Sequence, residues 1–161
     1  MKFTPLRTLF AALLLAVSFS GSVFADDKNA KCPLMTDDDA DPEYTVEYEG
    51  KQVILCCDKC AKHWKGNEKY VIKASLDLLP QFKDMAAKLG LDKVELLPQR
   101  FCPIKTHNLV TPDSPSVEYK GKKVYLWDKK AVEKWNKDPD GCAQKAIEAG
   151  LLPQLADAGK K

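Results

Sequence analysis

Residues 46–53 read VEYEGKQV, and residues 117–124 read VEYKGKKV. Six of the eight positions agree at a constant offset of 71. The offset continues without a gap through Leu55 and Leu126, Lys59 and Lys130, then Trp64 and Trp135. Upstream, Cys32-Pro33-Leu34 matches Cys102-Pro103-Ile104 at an offset of 70, so one residue is inserted between. Ordered matches of this kind mark an internal repeat. The chain reads as two modules, residues 32–80 and 101–155. A connecting helix and linker fill residues 81–100, and residues 156–161 form a flexible tail.

Each module follows the same plan. A Cys-Pro knuckle opens it, and a polar loop follows. Alternating apolar residues then predict a strand: Tyr44, Val46 and Tyr48 in the first module, Val117 and Tyr119 in the second. Gly50 or Gly121 turns the chain into a second strand, Val53 to Leu55 or Val124 to Leu126. Alternation about a glycine is the pattern of a β-hairpin, although Glu-Gly and Lys-Gly are weaker turn signals than Asn-Gly. Helices are expected over 57–65 and 128–137, with Trp64 and Trp135 on the buried face. Further helices are expected over 68–79 and 140–151, stopped near Pro80 and Pro153. Residues 81–90 (QFKDMAAKLG) read as the connecting helix, ending at Gly90. Leu-Leu-Pro-Gln occurs at 78–81, 96–99 and 151–154 and reads as an apolar helix end with a proline stop. The fold class is therefore α+β: two small tandem modules, each a knuckle and hairpin followed by short helices. A module of roughly 50 residues is marginal alone and needs a partner module, a metal or a disulfide.

The first 25 residues have the three-part plan of a secretory signal peptide. Lys2 and Arg7 are basic, Leu9 to Val17 is a short apolar run, and Val23-Phe24-Ala25 ends on a small residue. Cleavage after Ala25 removes two basic residues and no acidic one, which leaves 23 of each sign. A zero balance argues against a nucleic-acid partner, and it offers no polybasic patch to an anionic membrane. The expected location is periplasmic or secreted, with no membrane contact once the leader is gone. Such compartments oxidise thiols, so disulfides compete for all six cysteines.

The first module holds the chemistry. Its second strand runs into Cys56-Cys57-Asp58-Lys59-Cys60-Ala61-Lys62-His63-Trp64. A helix beginning at Cys56 places Cys56, Cys60 and His63 along one stripe, with Cys57 about 100° round the axis. Cys32, at the knuckle, folds back beside them. Three thiolates suit a soft or borderline cation, Zn²⁺ or Cu⁺. The helix start, Lys59 and Lys62 favour ionised thiols. His63 completes a Cys₃His site or is simply solvated. Cys57 stays open between fourth ligand, free thiol and disulfide partner. Met35 assists copper(I) or packs at a core edge. The run Asp37 to Asp41 lacks the spacing of a calcium loop and reads as solvated.

Cys-Pro-x-Met, then Tyr-x-Gly-Lys-x-Val, then Cys-Cys-x-x-Cys with an aromatic four residues later resembles the YHS and TRASH modules. The resemblance covers nearly all of the first module. It implies a treble-clef-like domain tied to heavy-metal sensing, trafficking or resistance, with Cys32, Cys56 and Cys60 as the family's thiols. The 23 residues between Cys32 and Cys56 make a slightly long gap. The second module departs much further. Cys56, Cys57 and Cys60 align with Trp127, Asp128 and Ala131, His63 with Lys134, and Met35 with Lys105. Only Cys102 survives of the thiols, so this module should not bind metal in the same way. Cys142 is new, and a Cys102–Cys142 disulfide can replace the metal as a staple if the Cα atoms lie within about 7 Å.

Cys57-Asp58-Lys59-Cys60 also spells Cys-x-x-Cys, which brings in a thiol–disulfide redox protein as the alternative. A disulfide-stapled structural or interaction module is a third reading. There is no Ser-His-acid pattern, phosphate loop or His-Glu-x-x-His, and two histidines cannot make a His-rich catalytic centre. The expectation is a non-enzymatic, exported metal-binding protein acting in trafficking, sensing or storage. Its partners are the metal ion and an envelope protein, and the second module is a scaffold or docking face.

Overall fold

The computed structural model describes residues 28–156. The leader at 1–25 and the tail beyond Ala156 lie outside these residues. The class is α+β: two antiparallel two-stranded sheets among short helices. In the first hairpin β1 (Thr45–Tyr48) pairs with β2 (Lys51–Ile54), with Val46 opposite Val53. In the second β3 (Ser116–Tyr119) pairs with β4 (Lys122–Tyr125), with Val117 opposite Val124. Both turns have two central residues at positive φ: Glu49 at 50° with Gly50 at 73°, and Lys120 at 50° with Gly121 at 70°. These are the paired left-handed residues of the tight turn that matches strand twist. Glutamate and lysine hold a conformation that glycine or asparagine takes with less strain.

Each hairpin folds onto a helix pair. In the first half these are α1 (Asp58–Trp64) and α2 (Glu68–Ala74). The linker contributes α3 (Ala86–Leu89). In the second half they are α4 (Lys129–Lys137) and α5 (Pro139–Glu148), and α6 (Pro153–Ala156) closes the described chain. Tyr48 meets Trp64 edge-on, with ring centroids 6.2 Å apart, and Tyr119 meets Trp135 the same way at 5.6 Å. Offset aromatic contacts of this kind add to the area each ring buries. The knuckles correspond too: Cys32 N–H donates to the Asp38 carbonyl, and Cys102 N–H to that of Asn108. Both halves feed one core that includes Val53, Leu55, Phe82, Val124, Leu126 and Trp135.

Three boundaries differ from expectation. α1 starts at Asp58, after Cys56, because the chain at Cys57 is still extended (φ −172°, ψ 167°). The helices expected to reach 79 and 151 end at Ala74 and Glu148, and Gly150 at φ 71° turns the chain out of the second. Pro80 and Pro153 then begin helical turns where stops were expected. Pro80–Met85 is a 3₁₀ turn, and Pro153 opens α6. A proline lacks only an N–H that a first turn leaves unused. The connecting segment is thus a 3₁₀ turn followed by α3, and Gly90 at φ 65° ends it as expected.

Leu-Leu-Pro-Gln has a structural use beyond ending helices. Gln81 Nε2 donates to the Gln52 carbonyl at 2.8 Å, and Gln154 Nε2 to that of Lys123 at 3.2 Å. On the same strand edges, Asn29 takes the Ile54 N–H at 3.0 Å and donates to the Ile54 carbonyl at 2.6 Å. Gln99, from the middle copy of the motif, does the same at Tyr125, at 2.9 and 2.6 Å.

The halves join through their knuckles. Leu109 N–H donates to the Leu34 carbonyl at 2.8 Å and Thr36 N–H to the His107 carbonyl at 3.0 Å, with Met35 opposite Asn108. Ser75 Oγ donates to the Pro33 carbonyl, and Arg100 to that of Ala74. The acidic loop is used one carboxylate at a time: Asp39 meets Lys31, Asp37 meets His107, and Asp41 caps the turn at Pro42–Tyr44.

Replacing Glu49 by Asn relieves the left-handed strain and removes only an exposed ion pair with Lys88 at 3.7 Å. The expected outcome in thermal or urea unfolding is a gain of about 0.5–1 kcal/mol.

Candidate metal centre

Three elements converge on one place. The knuckle brings Cys32, the end of the hairpin brings Cys56, and the first turn of α1 brings Cys60. One sulfur from each lies within 4.8 Å of the other two. Cys56 Sγ and Cys60 Sγ are 3.5 Å apart. Cys32 and Cys60 are completely buried and Cys56 is half-buried. The trio sits in the core beside Leu34, Leu55 and Trp64.

Two further sulfurs lie outside the trio. Cys57 Sγ is 3.9 Å from Cys56 Sγ and 3.8 Å from Cys60 Sγ. Met35 Sδ is 3.7 Å from Cys56 Sγ. His63 is placed differently from the expected stripe. Its ring stacks on Trp127 of the second half, with centroids 4.0 Å apart and planes 24° apart, and it is not in the trio's group. Since Cys56 precedes the helix, the stripe through Cys56, Cys60 and His63 does not form. Burial lowers the pKa of His63, with the nearby Asp128 charge opposing it.

Crowding splits the trio's acidities. Hydrogen bonding from Cys60 brings Cys32 down to about 6, against the opposing effect of burial. Burial, then the Cys32 charge, pushes Cys56 up to about 12. Bonding to Cys32, followed by burial, raises Cys60 as well. The three thiols are thus coupled, and negative charge on one opposes ionisation of its neighbours unless a counter-charge is present.

The donor chemistry fits a metal. Three thiols at this separation, with no carboxylate among them, match soft or borderline cations, whose sites are rich in cysteine. Cys32, Cys56 and Cys60 can hold such an ion, with Cys57 and Met35 next to them. All six cysteines are free thiols. The disulfide expected between Cys102 and Cys142 is not formed. Cys102 is buried at the second knuckle, where its sulfur accepts the Lys105 N–H at 3.4 Å, and Cys142 lies in α5.

The corresponding place in the second half is built from ordinary folding residues. Cys102 remains, Ala131 is buried, and Asp128 caps α4 by accepting the Ala131 N–H at 2.9 Å. Lys105 Nζ meets the other Asp128 oxygen at 2.8 Å. Trp127 is buried and reaches across to the first half. Sequence reasoning missed Trp127 and Lys105 as neighbours of the site. The alignment of Trp127 with Cys56 was the available signal. Together with Met35, Tyr44, Cys57 and Lys59 they line a cleft of about 400 Å³.

Among the described residues no helix is long and apolar enough to cross a membrane. No family model matches the chain, and neither a curated protein nor a solved structure matches it.

With Cys57, Cys102 and Cys142 replaced by serine and the metal removed, thiolate absorbance isolates the trio. One equivalent should appear as the pH rises through about 6.

Proposed function

We propose that this chain is an exported, non-enzymatic heavy-metal-binding protein whose first half holds Zn²⁺ or Cu⁺ on Cys32, Cys56 and Cys60. The observation that carries this reading is the mutual approach of the three sulfurs within 4.8 Å inside the core. Three elements deliver them from separate parts of the sequence, and a cation would relieve the crowding of ionisable groups there. The two halves are read as tandem modules of YHS/TRASH-like type, 32–80 and 101–155, with the second degenerate. The recurrence of hairpin register, Tyr–Trp pair and knuckle bonds supports that reading. The second module serves as scaffold or docking face. The leader at 1–25 favours the periplasm or the exterior as the place of action. A buried thiolate site suits trafficking, sensing or storage of the ion, with an envelope protein as giver or receiver.

A thiol–disulfide function through Cys57 and Cys60 is the second reading. The 3.8 Å between their sulfurs favours it. A hairpin precedes the motif and short helices follow, whereas thioredoxin-like enzymes set it in a βαβ frame.

Elemental mass spectrometry on protein from its native compartment, with free thiols counted on the same sample, separates these readings. One zinc or copper per chain is the expected result. Cys56→Ser and Cys60→Ser should each weaken binding by more than the about 10–100-fold typical of losing a supporting neighbour. Absence of metal with all thiols paired would refute the proposal, and a reversible Cys57–Cys60 pair without metal would favour the redox reading.

Affinity should also rise with pH. Cys56 and Cys60 have raised pKa values, so a cation held by all three sulfurs must displace protons from the trio. Competition titrations at pH 6.5 and 8 check the sign.

A further inference from the structure

We propose that Cys57 and Met35 form an outer sulfur pair that relays a soft cation between the cleft and the inner trio, with Cys57 as the transfer ligand. This rests on reading Cys32, Cys56 and Cys60 as the metal site. The observation behind it is a layering of sulfurs. Cys32 and Cys60 have no exposed surface, and none of the trio lines the cleft. Cys57 and Met35 do line it. Each also reaches inward: Cys57 Sγ to Cys60 at 3.8 Å and to Cys56 at 3.9 Å, Met35 Sδ to Cys56 at 3.7 Å. A ligand in the cleft therefore meets these two sulfurs before the trio, of which only Cys56 keeps some exposed surface.

The rest of the wall is mixed in charge and has room for a small thiol carrying the ion. Asp58 and Lys59 are exposed on it, and Lys105 is held by Asp128. Trp127 and Tyr44 supply apolar faces. A cleft of about 400 Å³ falls in the size range of small-molecule sites. The second half thus contributes Trp127 and Lys105 to the way in.

The exchange balances without any redox change. Cys57 sulfur bonds to the ion as the carrier's sulfur–metal bond breaks, and the Cys57 proton passes to the departing thiolate. Cys32, Cys56 and Cys60 then bond to the ion as Cys57 lets go; of the protons the trio sheds, one returns to Cys57 and the rest go to solvent. Holding the intermediate ligand on the same chain gives it a high effective concentration, so its removal is felt in the rate.

The test uses the whole mature chain, kept reduced and anaerobic. Copper(I) is loaded from its dithiothreitol complex and unloaded to excess bicinchoninate. If the wild type retains only zinc(II), the same experiment runs with zinc(II) and pyridylazoresorcinol. Cys57→Ser should slow both directions by about tenfold or more, and Met35→Leu should slow them less. Cys142→Ser, remote in α5, controls for loss of a thiol as such. Equal rates in Cys57→Ser and wild type would overturn the relay and leave the metal site standing. A loss of equilibrium affinity in Cys57→Ser as large as in Cys60→Ser would also overturn it, since Cys57 would then be a permanent ligand. Failure of the wild type to retain either ion would overturn the site and the relay together.

Discussion

Three ionisable sulfurs crowded together, two of them fully buried, cannot all carry charge unless a cation sits among them. That constraint organises the first half of this protein. The knuckle, the hairpin end and the helix start must each deliver one sulfur to the same point, and none can move independently. The second half fixes the knuckle. Backbone bonds from Leu109 to Leu34 and from Thr36 to His107 hold the chain on the C-terminal side of Cys32. The core shared by the halves holds the rest. A single module of roughly 50 residues is marginal alone, because so small a unit buries too little apolar surface.

The halves differ where folding and sulfur chemistry compete. At the start of the helix after each hairpin, the second half has Asp128, whose side chain takes the Ala131 N–H, while the first has Cys57, which makes no capping bond. The next helix repeats the contrast: Asp138 caps α5 through Gly141, whereas the Asn67 side chain turns away to Asp113. A capping side chain is typically worth about 1 kcal/mol. The first half forgoes that stabilisation twice and keeps thiols in its core. Proteins commonly depart from locally favourable choices at functional positions and compensate elsewhere. Here the compensation lies in the neighbouring half.

The hairpins, the buried tryptophans and the stop at Gly90 were legible because each has a local signature: alternation, helical spacing or a left-handed glycine. The grouping of Cys32 with Cys56 and Cys60 was legible through the resemblance to a known thiol pattern, not through helical spacing. The start of α1 was not, because an extended Cys57 leaves no mark in the sequence. That delay moved His63 out of the expected stripe, and the surface it found, Trp127, lies in the other half. The prolines misled because the same residue that ends one helix can open the next turn. The amide bonds of Asn29, Gln81, Gln99 and Gln154 were invisible for another reason. Each is a single side chain reaching a strand distant in sequence, and no periodicity announces such a contact.

Those four amides bear on behaviour in a crowd of other chains. A two-stranded sheet has unpaired backbone groups along its outer rims, and such rims recruit strands from neighbouring molecules. On β2 and β4 the outward groups at Ile54 and Tyr125, and the carbonyls at Gln52 and Lys123, are already taken by side chains. A side-chain amide satisfies the backbone without offering a further row of donors and acceptors, so pairing ends there. The rim of β2 depends on Asn29, which lies three residues before the first cysteine. Loss of the Asn29 contact would bare the Ile54 N–H and carbonyl, while Gln81 would still cover the carbonyl of Gln52.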